Sequence, residues 1–292
     1  MSENTISLKN PYLLLTLTTL FWAGNAIAGK MANGHVSPFL LTSSRWAIAS
    51  LILLPIAWPH LKRDWPIIKE NFVFLVICGG LGFTVFNNLL YLALTYISAI
   101  NAAIEQASMP LAVFLLNYLL YKTRTTSFQV IGFIITMFGV IITASRGDLA
   151  SLMQGNFNIG DLIMLLAIMF YGMYSVILRN KPKISLLSFM ATLSVIAFFV
   201  SIPFTLFEAS TDKFILPDTI GWGVILYAAL FPSIVAQLFW VMGLEQIGSN
   251  RGGLFINLLP IFGTVLAILI LGETFEIYHA IGGILVLAGV AL

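Results

Sequence analysis

Long apolar runs separated by short polar stretches dominate the chain. Ten such runs can be drawn, at 11–31, 38–58, 72–95, 98–121, 128–145, 160–179, 185–207, 220–243, 250–271 and 276–292. A membrane-crossing α-helix needs about 20 consecutive apolar residues, whereas a membrane β-strand shows about ten alternating ones. These runs do not alternate. The pattern therefore predicts an all-α polytopic membrane protein with ten transmembrane helices.

Composition supports a membrane protein. Of the 292 residues, 59% are hydrophobic and 9% are charged, against about 25% charged in a soluble domain. The longest predicted loop, 146–159, is too short to hold a soluble domain. A net charge of +2 without a basic block argues against nucleic acid as a partner. The single cysteine, Cys78, excludes an internal disulfide.

Lysine and arginine residues divide unequally between the two sets of loops, and this bias sets orientation in a membrane. One side carries Lys9, Lys62, Arg63, Lys69, Lys122, Arg124, Arg179, Lys181 and Lys183, and the other carries Lys30, Arg146 and Lys213. The positive-inside rule places the richer side in the cytoplasm. We therefore expect a multi-pass protein of the bacterial inner (plasma) membrane with both termini cytoplasmic.

The two halves of the chain repeat each other at an offset of about 150 residues. Without a gap, this offset superposes Leu94 on Leu244, Pro110 on Pro260, Gly132 on Gly282 and Gly139 on Gly289. We predict a first repeat at 1–145 and a second at 146–292, each of five helices. An odd number of spans gives the repeats opposite topology, so they are inverted around a central cavity. Inverted repeats are typical of transporters that alternate access to a site near the midplane.

Polar and aromatic residues interrupt the apolar runs at related positions in both halves. Amides in lipid can join helices, and aromatic rings more often pack than bind, so both structural roles are alternatives for each residue. The functional hypothesis is a cavity of rings and amides that binds a small solute. Its candidate lining residues are Trp22, Asn25, Asn87, Asn88, Tyr91, Tyr171, Tyr174, Gln237 and Trp240.

Two charged residues lie within predicted spans at similar depth. Arg45 and Glu105 each fall seven residues inside the outer end of their runs, or about 10 Å at 1.5 Å per residue. Intramembrane charges normally face a cavity or a partner. We expect both to face one space, either as an ion pair that fixes packing or as functional groups. In the second case Arg45 would receive a substrate carboxylate and Glu105 would couple transport to protons.

Pro110 and Pro260 interrupt equivalent spans, where a missing backbone donor loosens the preceding turn. They are candidate hinges, and a fixed kink is the alternative. His35, His60 and His279 are scattered and form no metal set. No catalytic or nucleotide-binding motif is present, so we expect no catalytic residues, no cofactor and no metal. The driving force would then be a gradient or exchange.

The chain resembles the drug/metabolite transporter superfamily, specifically its ten-helix EamA-type permeases. The matching stretches are Phe21-Trp22-Ala23-Gly24-Asn25 with Lys30, Ser44-Arg45-Trp46, Tyr91-Leu92-Ala93-Leu94-Thr95-Tyr96-Ile97-Ser98-Ala99, Pro110, Leu271-Gly272-Glu273-Thr274, Gly282-Gly283 and Gly289-Val290. The resemblance implies a basket of helices with the fifth and tenth at the periphery. It also implies export of amino acids or related metabolites, while other members move nucleobases, nucleosides or sugar derivatives. Glu105 departs from the family pattern.

These observations predict a secondary active transporter, an exporter of amino acids or related small metabolites that works by alternating access. One alternative is an importer or exchanger of nucleobase, nucleoside or sugar-like solutes. Another is an intramembrane enzyme, which would need a catalytic constellation. The expected partners are a small-molecule substrate and the lipid bilayer. A monomer satisfies the pattern, and a homodimer remains an alternative.

Overall fold

The computed structural model describes residues 10–122, 126–148 and 158–291. Lys9, Arg124 and most of the predicted 146–159 loop lie outside these ranges. The described residues form helices and no strand, as predicted. The helices are α1 (Pro11–Met31), α2 (Pro38–Glu70), α3 (Phe72–Ala93), α4 (Ala99–Tyr121), α5 (Ser127–Ala144), α6 (Ile159–Asn180), α7 (Leu186–Ala209), α8 (Thr219–Ile247), α9 (Arg251–Leu271) and α10 (Ile277–Ala291). Within the described ranges, the first nine are long and apolar enough to cross a membrane, and α10 is a shorter apolar helix.

Helix α2 continues well beyond its predicted end at residue 58. It runs to Glu70 although it contains Pro55, Pro59 and Pro66. Its last three turns still bury a helical face, because Asp64 and Ile68 lie one turn apart and both are buried. The sequence prediction ended the span where hydrophobicity falls, but burial against α7 continues on this one face.

Four helices contain irregular turns at related positions. The residues Gly79–Val85 of α3 and Phe231–Val235 of α8 form π-helical turns. In α4 the helix breaks between Gln106 and Met109, just before Pro110, and in α9 a 3₁₀ segment at Leu254–Leu258 precedes Pro260. A proline cannot donate the backbone hydrogen bond of a regular turn, which accounts for the last two breaks. π-Helical turns release backbone acceptors and are frequent at functional sites.

One end of the bundle, which we call the α1–α2 end, carries the connections α1–α2, α3–α4, α5–α6, α7–α8 and α9–α10. Three contacts join them: His35 to Asp218 at 2.7 Å, the side chain of Asn158 to Tyr96 O at 3.3 Å, and the Ala99 N–H to Glu273 at 2.7 Å. The opposite end carries the connections α2–α3, α4–α5, α6–α7 and α8–α9.

Helices α2 and α7 form the most extensive helix pair, and carboxylates cap it at both ends. Near the end of α2, Asp64 accepts the backbone N–H of Ser185 at 2.8 Å, just before α7 begins. Near the end of α7, Glu208 accepts the N–H groups of Phe39 and Leu40, each at 3.0 Å, at the start of α2. The first turn of a helix leaves N–H groups unpaired and favours negative charge. The two helices are therefore antiparallel, and each caps the other.

Helices α5 and α10 also pack against each other through small residues. A methyl group on Gly139 would lie 2.7 Å from Gly282 O, and one on Gly289 would lie 2.5 Å from Gly132 O. The 150-residue offset superposes Gly139 on Gly289 and Gly132 on Gly282, so the repeat relates one contact to the other. The outward face of α5 is largely exposed, in agreement with the peripheral position that the family resemblance implied.

Replacing Gly139 with alanine should destabilise the protein, because the added methyl group meets backbone atoms of α10 that cannot move independently. Overpacking of this kind costs about 1–3 kcal/mol. The measurement is the temperature at which the thiol of Cys78, the single cysteine and a fully buried one, reacts with a fluorogenic maleimide in detergent. Gly223→Ala is the matched control, since no described atom beyond the neighbouring backbone of its own helix lies within 4 Å of a methyl group there. Equal midpoints for the two variants would contradict the close α5–α10 contact.

Candidate functional site

A cavity of about 100 Å³ lies inside the bundle, between α1, α2, α3, α4, α6, α8 and α9. Among the predicted site residues, it is lined by Trp22, Asn25, Arg45, Asn87, Tyr171, Tyr174 and Gln237. Its other lining residues are Trp46, Gly82, Phe83, Phe86, Leu90, Gln106, Met109, Pro232 and Leu259.

Arg45 is the centre of the polar contacts in this cavity. Its Nη1 donates to Asn25 Oδ1 at 3.1 Å and to Asn87 Oδ1 at 2.7 Å. The same nitrogen lies 2.6 Å from the Tyr91 hydroxyl, and Nε lies 2.5 Å from Ser233 Oγ. The partners come from α1, α3 and α8, so one guanidinium on α2 joins four helices.

The π-helical turns hold the partners of Arg45 in place. The Asn87 side-chain amide donates to Phe83 O at 2.7 Å, and Trp46 Nε1 donates to the same carbonyl at 2.9 Å. In α8, the Ser233 hydroxyl donates to Ala228 O, five residues earlier, at 2.7 Å. The carbonyl acceptors that these turns leave available therefore orient the groups that bind the arginine.

The charge of Arg45 is buried without an opposite charge beside it. The side chain is 4% exposed, and its hydrogen-bond partners are all neutral. Across the described ranges, the ion pairs are His35–Asp218 and Arg63–Asp64. The hydrogen bonds within these ranges use Nε and Nη1 and leave Nη2 for another acceptor. A buried charge is costly without a partner, so this site is suited to an anionic group.

An aromatic wall continues from the arginine along the cavity. The guanidinium lies 4.8 Å from the centre of the Trp46 ring, and Trp46 stacks on Phe83 at 4.6 Å. Tyr174 follows at 5.9 Å from Phe83, and Tyr171 lies 5.7 Å from Tyr174. Such faces bind apolar groups and attract cations. The cavity thus combines an anion-binding group at one position with apolar and cation-accepting surface at another.

The cavity is lined at equivalent positions from the two halves of the chain. The lining pairs are Trp22 with Tyr171, Asn25 with Tyr174, Gly82 with Pro232, Asn87 with Gln237 and Met109 with Leu259. Each pair is separated by 149 or 150 residues. Met109 and Leu259 directly precede Pro110 and Pro260, so both helix breaks lie next to the cavity.

Three other predicted residues do not line the cavity. Tyr91 acts through its contacts with Arg45 and with Asn25, to which its hydroxyl donates at 2.8 Å. The Trp240 ring packs on Trp22 with ring centres 5.2 Å apart. Asn88 is buried with both amide atoms unpaired among the described residues. Successive residues of a helix point about 100° apart, so Asn87 reaches the cavity and Asn88 does not.

Glu105 does not line the cavity that Arg45 faces, so the expectation that these two residues face one space, as an ion pair or as functional groups, is wrong. Glu105 is fully buried, and neither carboxyl oxygen has a hydrogen bond among the described residues. The acidic group that acts on it is Asp161, at the start of α6. The depth estimate did not specify which way the side chain points. Its neighbour Gln106 lines the cavity instead.

Several residues of the site were not predicted. Gln106 and Ser233 interrupt apolar runs, and their polarity was the available signal. Asp161 is the second residue of the predicted run 160–179, where an acidic residue is ordinary and gives no signal of a buried site. The aromatic residues Trp46, Phe83 and Phe86 look like ordinary membrane-helix residues, so the sequence offers no signal that separates their site role from packing.

Comparisons with known proteins agree with this architecture. The model of the EamA-like transporter family matches residues 9–145 and 158–292. An uncharacterized transporter of Archaeoglobus fulgidus is 30% identical over 289 residues, covering 96% of each chain. The uncharacterized transporter YyaM of Bacillus subtilis is 25% identical over 287 residues, covering 96% of this chain and 92% of its own. A solved crystal structure shares the fold with a TM-score of 0.64 at 19% identity, covering 96% of this chain and 95% of the other.

Two matches to one family model cover nearly the whole chain, and the relatives extend over its full set of helices. The drug/metabolite transporter resemblance drawn from the sequence is thereby confirmed. The chain belongs to the EamA-like transporter family.

Proposed function

We propose that this transporter is a secondary active exporter of amino acids or related small metabolites. The observation that carries the proposal is Arg45, a buried guanidinium with neutral partners that faces an internal cavity. A solute carboxylate would supply the missing negative charge through Nη2. Charge-assisted hydrogen bonds of this kind are among the strongest in proteins.

The rest of the cavity suits the other end of a small amino acid. Gln106 uses its amide nitrogen on Ala102 O at 3.2 Å, which leaves its oxygen free to accept from an ammonium group. The faces of Tyr171 and Tyr174 offer further surface for a cation or an apolar side chain. A volume of about 100 Å³ is below the roughly 300–1,000 Å³ of drug-sized ligand sites. This size favours a small solute over a nucleoside.

The mechanism we propose is alternating access between two inverted repeats, at 1–145 and 146–292. Three features support it: the equivalent lining positions, the exchanged glycine contacts of α5 and α10, and the mutual caps of α2 and α7. If the repeats exchange conformations, the cavity opens first to one end and then to the other. Pro110 and Pro260 would act as hinges, because the chain already departs from regular helix beside each of them.

The protein would lie in the bacterial inner membrane with both termini in the cytoplasm. Lys30, Arg146 and Lys213 lie at the α1–α2 end, whereas Arg63, Lys69, Lys122 and the Arg179–Lys183 group lie at the opposite end. The positive-inside rule then makes the α1–α2 end the outer one.

Replacing Arg45 with glutamine should remove the anion-binding group and weaken amino acid binding about 10- to 100-fold, the range expected for charge-assisted hydrogen bonds of about 1.5–3 kcal/mol. Binding of the corresponding amine, which lacks the carboxyl group, should be weak in the wild type and change little. The measurement is counterflow of labelled solutes in proteoliposomes.

The matched control for this experiment is Arg251→Gln, at an exposed arginine. Unchanged amino acid counterflow in Arg45→Gln would refute the carboxylate role. Transport of nucleosides without transport of any amino acid would favour the alternative substrate class.

The proposed orientation predicts which loops react from outside the cell. A cysteine at Thr211, exposed in the α7–α8 connection, should react with a membrane-impermeant maleimide on intact cells. A cysteine at Lys181, exposed in the α6–α7 connection, should react only after the membrane is opened. Native Cys78 is fully buried and should not react with the maleimide in either experiment. The reverse labelling pattern would invert the orientation.

A further inference from the structure

Glu105 is a fully buried carboxyl group that has no role in the cavity of Arg45. Both of its oxygens lack a hydrogen bond among the described residues. It lies on the short helical segment Ala99–Gln106, the first half of α4. An unpaired ionised carboxylate at such a position would carry a large desolvation cost. The side chain therefore requires a bound cation or a proton.

Asp161 is a second carboxyl group beside Glu105. It lies in the first turn of α6, is buried, and its Oδ1 is also unpaired in the described part of the chain. The segment Ala99–Gln106 packs directly against α6, and Asp161 is the charged group of α6 that acts on Glu105. Two ionised carboxylates have no donor between them, so neither oxygen of Glu105 gains a partner among the described residues unless one of the two groups is protonated. Two adjacent buried carboxyl groups titrate as one coupled unit and favour a shared proton.

The ligand that this pair can take is a proton. Among the residues that the structure describes, no group of three His, Cys, Asp or Glu side chains could hold a metal ion. Hard cations need about six oxygen ligands, whereas Glu105 and Asp161 offer two carboxyl groups. A proton needs no further ligands.

A polar pocket of about 420 Å³ at the α1–α2 end lies near the pair. It is lined by Ser98, Asn101, Arg146, Gly272, Glu273, Thr274, Tyr278 and His279. Asn101 is one helical turn before Glu105, and Arg146 acts electrostatically on Asp161. The pocket and these two residues provide a polar route from the α1–α2 end to the buried carboxyl groups.

The other charged or titratable groups around the pair include His279, Lys30, Glu273, Tyr278 and Arg146, and the first three are engaged in hydrogen bonds. His279 Nδ1 accepts the Glu276 N–H at 2.9 Å, so Nε2 carries the ring proton that bonds Asn101 Oδ1, also at 2.9 Å. The imidazole is therefore neutral in this arrangement. Lys30 of α1 donates to two carbonyl oxygens at the end of α3. Glu273 accepts the backbone N–H groups that open α4, and Tyr278 lies near Arg146.

We propose that Glu105 and Asp161 form the proton-binding pair of the transport cycle, reached from the α1–α2 end and separate from the substrate cavity. This proposal rests on the proposed function of the cavity. In the closed arrangement the pair holds a proton and carries less charge. Loss of that proton leaves an additional buried negative charge, which favours a conformation in which water reaches the pair.

The first half of α4 links the two sites. Glu105 is a member of the proton-binding pair and the adjacent Gln106 lines the cavity, on one segment that ends at the break before Pro110. A change in one site therefore displaces a residue of the other. Substrate binding and proton binding become coupled if each favours a different position of this segment.

The test uses purified full-length protein, with Glu105→Gln and Asp161→Asn as variants and Glu245→Gln, at an exposed carboxylate of α8, as the control. In proteoliposomes, wild type and control should accumulate an amino acid when a pH gradient is applied. Glu105→Gln should lose this accumulation but keep counterflow, because the Arg45 cavity is intact. Asp161→Asn should show a shifted pH dependence. Thermal reactivity of Cys78 verifies that each variant is folded.

A second measurement needs no substrate. Infrared difference spectra between neutral and alkaline pH should show a protonated carboxyl band in the wild type that Glu105→Gln lacks. Wild-type accumulation in Glu105→Gln, or an unchanged carboxyl band, would overturn the proton-binding pair and leave the proposed function standing. Absence of amino acid counterflow in the wild type would instead overturn the proposed function. The infrared band would then still show whether Glu105 binds a proton.

Discussion

The structure depends on a buried arginine that is held entirely by neutral groups. Arg45 on α2 binds Asn25 on α1, Asn87 and Tyr91 on α3, and Ser233 on α8. Burying such a charge inside a membrane bundle has a high desolvation cost, so an intramembrane arginine normally marks a functional site. Four contacts through Nε and Nη1 fix the plane of its guanidinium, and within the described residues they leave Nη2 for a ligand. The helices around the cavity are thereby positioned by the same group that we propose to bind the solute.

The irregular turns connect this site to the helix packing. A π-helical turn in α3 provides the carbonyl of Phe83 to both Asn87 and Trp46. The corresponding turn in α8 holds Ser233. Each turn lies in a helix that packs against a helix of the other half, α3 against α6 and α8 against α1. The irregular turns therefore leave backbone carbonyl oxygens unpaired, and these oxygens orient the polar side chains of the site.

The sequence was sufficient for the fold and for much of the cavity. Hydrophobic runs gave ten helices, and the offset of 150 residues related Asn87 to Gln237, both of which line the cavity. The sequence did not predict in which direction a side chain points around its helix axis. Asn87 and Asn88 are alike in sequence, yet one binds Arg45 and the other is buried with no hydrogen-bond partner in the described part of the chain. Arg45 and Glu105 lie at similar depth in their runs but face different spaces. Depth follows from residue counting, whereas direction follows from packing between helices, which one sequence does not reveal.

Two polar centres thus share one helix without sharing a residue. Arg45 and its amides form the first, and Glu105 with Asp161 forms the second. Glu105 belongs to the second centre, and Gln106, the next residue of the segment Ala99–Gln106, lines the cavity of the first. If the two centres bind a carboxylate solute and a proton as we propose, these ligands do not neutralise each other directly, and any coupling between them passes through a conformational change.

The central claim is that Arg45 receives the carboxylate of the solute. The measurement that tests it most directly is a structure of the protein with a transported amino acid bound. The account predicts a carboxylate oxygen about 2.7–2.9 Å from Arg45 Nη2, with the rest of the solute against Tyr171 and Tyr174. A bound solute whose carboxylate lies away from Arg45, with the contacts of the guanidinium unchanged, would contradict it.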